Sequence, residues 1–160
     1  MKAKDMSESK RLELIAEAVR YCQRVSAMGM PASVFSKALR EPIHFLWERR
    51  AGSKTAAAQY RSISAVGLSF GKGKLVYDHA VPFICLQRRL LVLDTVDEPS
   101  NRALLERLNL IALITKDEDE ILKSAGLNKS MPKDWDGNDP LARYREMGIE
   151  LIPNRGAVNA

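Results

Sequence analysis

Leu110-Ile111-Ala112-Leu113-Ile114, followed at once by Thr115-Lys116-Asp117-Glu118, is the stretch on which the fold turns. The first five residues are apolar throughout and suit a short strand rather than a helix. Thr115 and Glu118 then match a capping box, in which the hydroxyl and the carboxylate reciprocally satisfy backbone donors at a helix start. That helix is predicted to end at Gly126.

Working outward from this strand and helix, Leu12, Ile15, Val19 and Cys22 recur at three- and four-residue steps, predicting an amphipathic helix from about Ser9 to Met28. Gly29 is its expected stop, and Pro31 fits the first turn of a second helix through Leu39. Pro42 is expected to open a further helical turn carrying Ile43, Phe45, Leu46 and Trp47. Ser53 reads as the cap of a helix over Lys54 to Ala65, favoured by Ala56, Ala57 and Ala58. Leu75-Val76-Tyr77 reads as a short strand leading into Asp78-His79. Pro82 and Pro99 start helices through Leu93 and Leu108. A loop from Asn128 to Pro140 anchored by Trp135, a short helix around Leu141–Met147 and a strand at Ile149–Ile152 complete the chain. The expected architecture is α+β: a predominantly helical single domain over residues 1–160, with a small sheet of two or three short strands. A basic helical half spans about residues 1–74, a candidate site-bearing half about 75–152, and a frayed tail 153–160.

With 160 residues, 46% hydrophobic and 28% charged, the composition is globular rather than disordered. The first ten residues lack the apolar core of a secretory signal. The most hydrophobic stretch, Leu75 to Leu93, is cut by Asp78, His79, Arg88 and Arg89, which argues against a membrane span. Cytoplasmic localisation is therefore expected. Cys22 and Cys85 lie far apart among apolar neighbours and read as buried free thiols. Residues 1–75 hold 14 Lys/Arg against 6 Asp/Glu, whereas residues 76–160 hold 11 against 14. That asymmetry suggests an anionic partner, nucleic acid, for the first half, with Arg40, Arg49, Arg50, Lys54, Arg61, Lys72 and Lys74 as candidate phosphate contacts. Gly71-Lys72-Gly73-Lys74 is not a phosphate-binding Walker loop, because the glycine spacing is one residue short and a strand follows.

Tyr77-Asp78-His79-Ala80-Val81-Pro82 carries the most specific chemistry. An adjacent Asp and His at a strand end can divide phosphodiester hydrolysis, the carboxylate holding a divalent metal and the imidazole taking a proton from water. Here the chain resembles the HNH, or His-Me finger, nucleases over about residues 75–122. Asp78-His79-Ala80-Val81-Pro82 matches their Asp-His-x-x-Pro segment, and Asn109 looks like the Asn that opens the following strand. The resemblance implies a metal-dependent endonuclease: His79 and Asn109 catalytic, Asp78 with Asp117 and Glu118 around Mg²⁺ or a similar ion. A carboxylate would stand where the family has its final His. His44 reads as a core or interface histidine, and Trp47 and Trp135 as packing anchors. Two functions stay open: a nuclease, or an inactive relative that binds nucleic acid; and a non-catalytic interaction or regulatory domain using the Met-, Trp- and Phe-bearing segment 28–47 as its contact surface.

Overall fold

The computed structural model describes residues 1–71 and 73–155. They form seven α-helices and four short strands, joined by short 3₁₀ turns and one π turn. Helices α1 (Glu8–Ala27) and α2 (Ala32–Pro42) form the first hairpin. Ser7 caps α1 by accepting from the Lys10 N–H, and Gly29, at φ +96°, lets the chain turn out of it. The stripe read from the sequence is the buried one: Leu12, Ile15, Val19 and Cys22 are fully enclosed. They pack with Phe35 and Leu39 of α2, Leu86 and Leu90 of α4 (Phe83–Leu91), and Leu104, Leu105 and Leu108 of α5 (Glu98–Leu108). Cys22 and Cys85 belong to this helical core and are free thiols. Each large apolar side chain enclosed there contributes about 1.5–3 kcal/mol.

The sheet is larger than expected, with four strands in the order β2-β3-β1-β4. β3 (Ile111–Thr115) is its buried centre and passes directly into α6 (Lys116–Ser124) through the Thr115–Glu118 capping box. β2 (Leu75–His79) runs antiparallel to β3, pairing His79 with Ile111 and Leu75 with Thr115. β1 (Tyr60–Ser62) is parallel to β3 and antiparallel to β4 (Leu151–Pro153). The helix expected over Lys54 to Ala65 is corrected here. Ser53 caps it as read, but α3 stops at Ala57, and β1 and a 3₁₀ turn, Ile63–Ala65, follow. Pairing on both edges of β1 outweighs the helix propensity of the alanines.

The tail is corrected in part. Pro153 lies in β4, and Asn154 is buried, its amide donating to the Thr55 and Ala58 carbonyls. The rest of the expected frayed tail, residues 156–160, lies outside the described residues, as does Lys72. No described helix is long and apolar enough to cross a membrane.

α7 (Ala142–Glu146) is fastened to the sheet by Arg143 and by the Tyr144 hydroxyl, which donates to Asp78. Arg143 is 1% exposed and donates to the Asp78 carboxylate at 2.7 Å, the Ala80 carbonyl at 3.0 Å and the Leu127 carbonyl at 2.6 Å. A fourth bond goes to the His79 carbonyl. Replacing Arg143 by Ala removes the donor to three carbonyls and leaves the buried Asp78 carboxyl with the Tyr144 hydroxyl but no cation, so Arg143→Ala is expected to lower unfolding free energy by about 3–5 kcal/mol in urea titration. A loss below about 1 kcal/mol would show that the guanidinium does not fasten α7.

Candidate functional site

Side chains alternate across a strand, and that alternation separates the two members of the Asp78-His79 pair. Leu75 and Tyr77 face the side of the sheet that holds Ile111 and Leu113, and His79 follows them. Val76 and Asp78 face the opposite side, toward Ala112, Ile114 and Tyr144. The two neighbours therefore meet different partners.

On the Tyr77 and His79 side stands Glu48. Pro42 ends α2, the chain widens into a π turn at Ile43–Trp47, and a 3₁₀ turn at Glu48–Ala51 follows. Such π segments within helices are frequent at functional sites. This path directs His44 and Glu48, four residues apart, toward the end of β2. The Glu48 side chain is 2% exposed and accepts three hydrogen bonds. His79 Nε2 lies 2.7 Å from Oε1, while His44 Nδ1 at 2.9 Å and the Tyr77 hydroxyl at 3.0 Å share Oε2. Both histidines of the chain thus meet on one carboxylate.

An ionised carboxylate only accepts, so each imidazole nitrogen facing it carries the proton. Neutral His79 is accordingly the Nε2–H tautomer with Nδ1 bare, and neutral His44 the Nδ1–H tautomer with Nε2 bare. Burial by itself pushes the Glu48 carboxyl up. The hydrogen bond and charge of His79, with the His44 and Tyr77 bonds, outweigh it and hold the carboxyl at about 2. Burial and the neighbouring Glu48 charge push the Tyr77 hydroxyl upward, so it stays a donor.

His79 also borders a cleft of about 510 Å³ between α2, α4 and the end of β2, within the range of ligand clefts, roughly 300–1,000 Å³. Arg40, Ser33, Ser36, Gln87 and Lys129 supply polar groups to its walls. A second cavity of about 260 Å³ adjoins it, sharing Arg40, His79 and Phe83 and adding His44 and Glu48. The Arg40 guanidinium lies 5.0 Å from the Phe83 ring centre, a placement that holds the cation at the junction of the two cavities.

The remaining residues singled out in the sequence fall in several places. Asp78 accepts from Arg143 and from the Tyr144 hydroxyl, and burial holds its carboxyl above the ordinary range against their opposing pull. Asp117 is exposed in the first turn of α6. Glu118 is buried in the capping box and also accepts from the Ser62 hydroxyl. Both sit beside Thr115, which pairs with Leu75, so they lie at the opposite end of β2 from His79. Asn109 ends α5 near the His79 end of the sheet, buried, with its Nδ2 unpartnered among the described residues. Asp78, Asp117 and Glu118 are therefore not brought together around a metal. The cation beside Asp78 is Arg143, and among the described residues no group of three or more His, Cys, Asp or Glu is arranged to hold an ion.

Among the basic candidates, Arg40 is exposed at the cleft. Lys54 lies 5.8 Å from the Tyr77 ring centre, and Lys74 is exposed. Arg49 bonds the Gly52 carbonyl, and Arg50 stacks on Trp47 and pairs with Glu8. Arg61 is committed to the Ala65 and Leu68 carbonyls, a structural role. Glu48, Tyr77, His44, Arg143 and Lys129 were not read as site residues. The only local signal was the four-residue spacing of His44 and Glu48.

Comparison of the chain with protein-family models, curated proteins and solved structures found no match. The geometry of the site is thus its own guide to function.

Because Glu48 is held below its unfolded value, its contribution to stability is present above about pH 4.5 and is lost as pH falls toward about 2. Acid titration of unfolding free energy should show a loss of up to about 3 kcal/mol across that window. Glu48→Gln should flatten that portion of the curve; an unchanged acid limb would contradict the assignment.

Proposed function

We propose that this chain is a nucleic-acid phosphodiesterase in which His79, positioned by Glu48, is the general base at the cleft between α2, α4 and β2. One observation carries the reading: a buried, ionised carboxylate fixes an imidazole at the wall of a cleft that also presents Arg40 and Lys129. The carboxylate sets the tautomer and ring orientation, and it stabilises the imidazolium that forms when the base accepts a proton. Arg40 and Lys129 supply charge for a phosphate, and Lys54, beyond Tyr77, extends the positive surface. The metal that the nuclease resemblance implies finds no assembled donor set among the described residues, and the proposed chemistry runs through protein side chains.

A non-catalytic interaction domain is the second reading. It is favoured by Met28, Val34 and Phe45, which are exposed on the apolar-rich segment 28–47. On that reading the Glu48 cluster is only a structural brace.

The two readings part in solution. Binding of a labelled oligonucleotide should weaken with salt, and the double variant Arg40→Ala, Lys129→Ala should reduce the slope by about 0.7–0.9 per lost phosphate contact. His79→Gln should retain binding and lose cleavage of whichever polymer is cut, by about a hundred- to ten-thousand-fold. Absence of salt-dependent binding, or a His79→Gln variant as active as its parent, would contradict the proposal.

A further inference from the structure

The general base has a second imidazole beside it, and the chemistry of that pair narrows the substrate. His44 and His79 stand on the two oxygens of one carboxylate, and both border the smaller cavity. Their side chains keep 25% and 32% exposure while Glu48 keeps 2%, so the rings are reachable and the carboxylate is not. Each ring is anchored through one nitrogen, leaving Nδ1 of His79 and Nε2 of His44 without a hydrogen bond in the described structure. Two imidazoles in one cavity can share the work of a general acid and a general base. Direct attack of water on a DNA phosphodiester is usually assisted by bound metal ions, and among the described residues no group of three or more His, Cys, Asp or Glu is arranged to hold one. A 2′-hydroxyl removes that requirement, since the nucleophile is carried by the substrate and is already adjacent to phosphorus.

We infer that the substrate is RNA, cleaved by transesterification with His79 as general base and His44 as general acid; this rests on the phosphodiesterase reading above. Nδ1 of His79 takes the proton of the 2′-hydroxyl as the 2′-oxygen forms its bond to phosphorus. The bond from phosphorus to the 5′-oxygen breaks, and the leaving oxygen receives a proton from Nε2 of protonated His44. The products are a 2′,3′-cyclic phosphate and a 5′-hydroxyl, and water restores both imidazoles. Glu48 positions both rings, Arg40 faces the phosphate from the cavity they share, and Glu41, at the outer wall, is paired with Lys37.

The test uses three single-stranded oligonucleotides of one sequence in the presence of EDTA: RNA, fully 2′-O-methylated RNA, and DNA. The expected result is cleavage of RNA alone, with cyclic phosphate and 5′-hydroxyl ends identified by mass. His44→Gln and His79→Gln should each slow it by about a hundred- to ten-thousand-fold. The parent rate should be bell-shaped in pH, and His44→Gln should lose the decline at high pH, a change that a merely structural histidine would not produce. Cleavage of DNA or of methylated RNA, or 5′-phosphate ends, would overturn the RNA assignment and leave the phosphodiesterase reading standing, whereas a requirement for added Mg²⁺ would overturn both. Failure to cut any of the three polymers with or without Mg²⁺ would overturn both.

Discussion

A carboxylate taken out of water must have its charge answered by hydrogen bonds, and Glu48 has its answer in His79, His44 and Tyr77. Two of these donors come from β2 and one from the π turn that immediately precedes Glu48. The cluster therefore ties the helical part of the chain to the edge strand of the sheet. Loss of either imidazole would leave the charge less well compensated, which couples the folding of this junction to the integrity of the site. The same bonds select one tautomer of each ring. Structure and chemistry here share a single carboxylate.

The opposite face of β2 repeats the arrangement with charges reversed. There Arg143 is the enclosed ion, and Asp78, the Tyr144 hydroxyl bonded to it, and three backbone carbonyls complete the group. β2 is thus clamped from both faces at consecutive residues, Asp78 by α7 and His79 by Glu48 at the start of the 3₁₀ turn. This double clamp fixes the strand end where the two cavities meet. Asp78 and His79, adjacent in sequence, have no side-chain hydrogen-bond partner in common, because a strand sends neighbouring side chains to opposite sides.

Much of the fold was legible because local signals agreed with the final packing. The apolar run before Thr115 became the central strand, the capping box opened α6, and the α1 stripe became the helical core. β1 escaped because it is only Tyr60–Ser62, follows an alanine run, and exists through pairing with strands far away in sequence. At the site, His79 stood out in the sequence beside Asp78, and the structure places it at the wall of the cleft. Its partner was not legible, since nothing local shows that residue 79 returns to Glu48 across 31 positions. Asp117 and Glu118 drew attention as acids at a helix start, where the backbone dipole and the cap account for them. Of the basic residues that the charge asymmetry singled out, Arg40 is exposed at the cleft, whereas Arg50 pairs with Glu8 and Arg61 is spent on carbonyls within the fold.

One buried, ionised carboxylate holds both imidazoles in fixed and opposite tautomers. Nitrogen-15 NMR of the histidine side chains at alkaline pH reads those tautomers, because protonated and bare ring nitrogens resonate far apart. The account predicts a bare Nδ1 in His79 and a bare Nε2 in His44, each ring with one slowly exchanging N–H, and loss of both signatures in Glu48→Gln. Averaged shifts in both rings, or the Nε2–H form in His44, would contradict it.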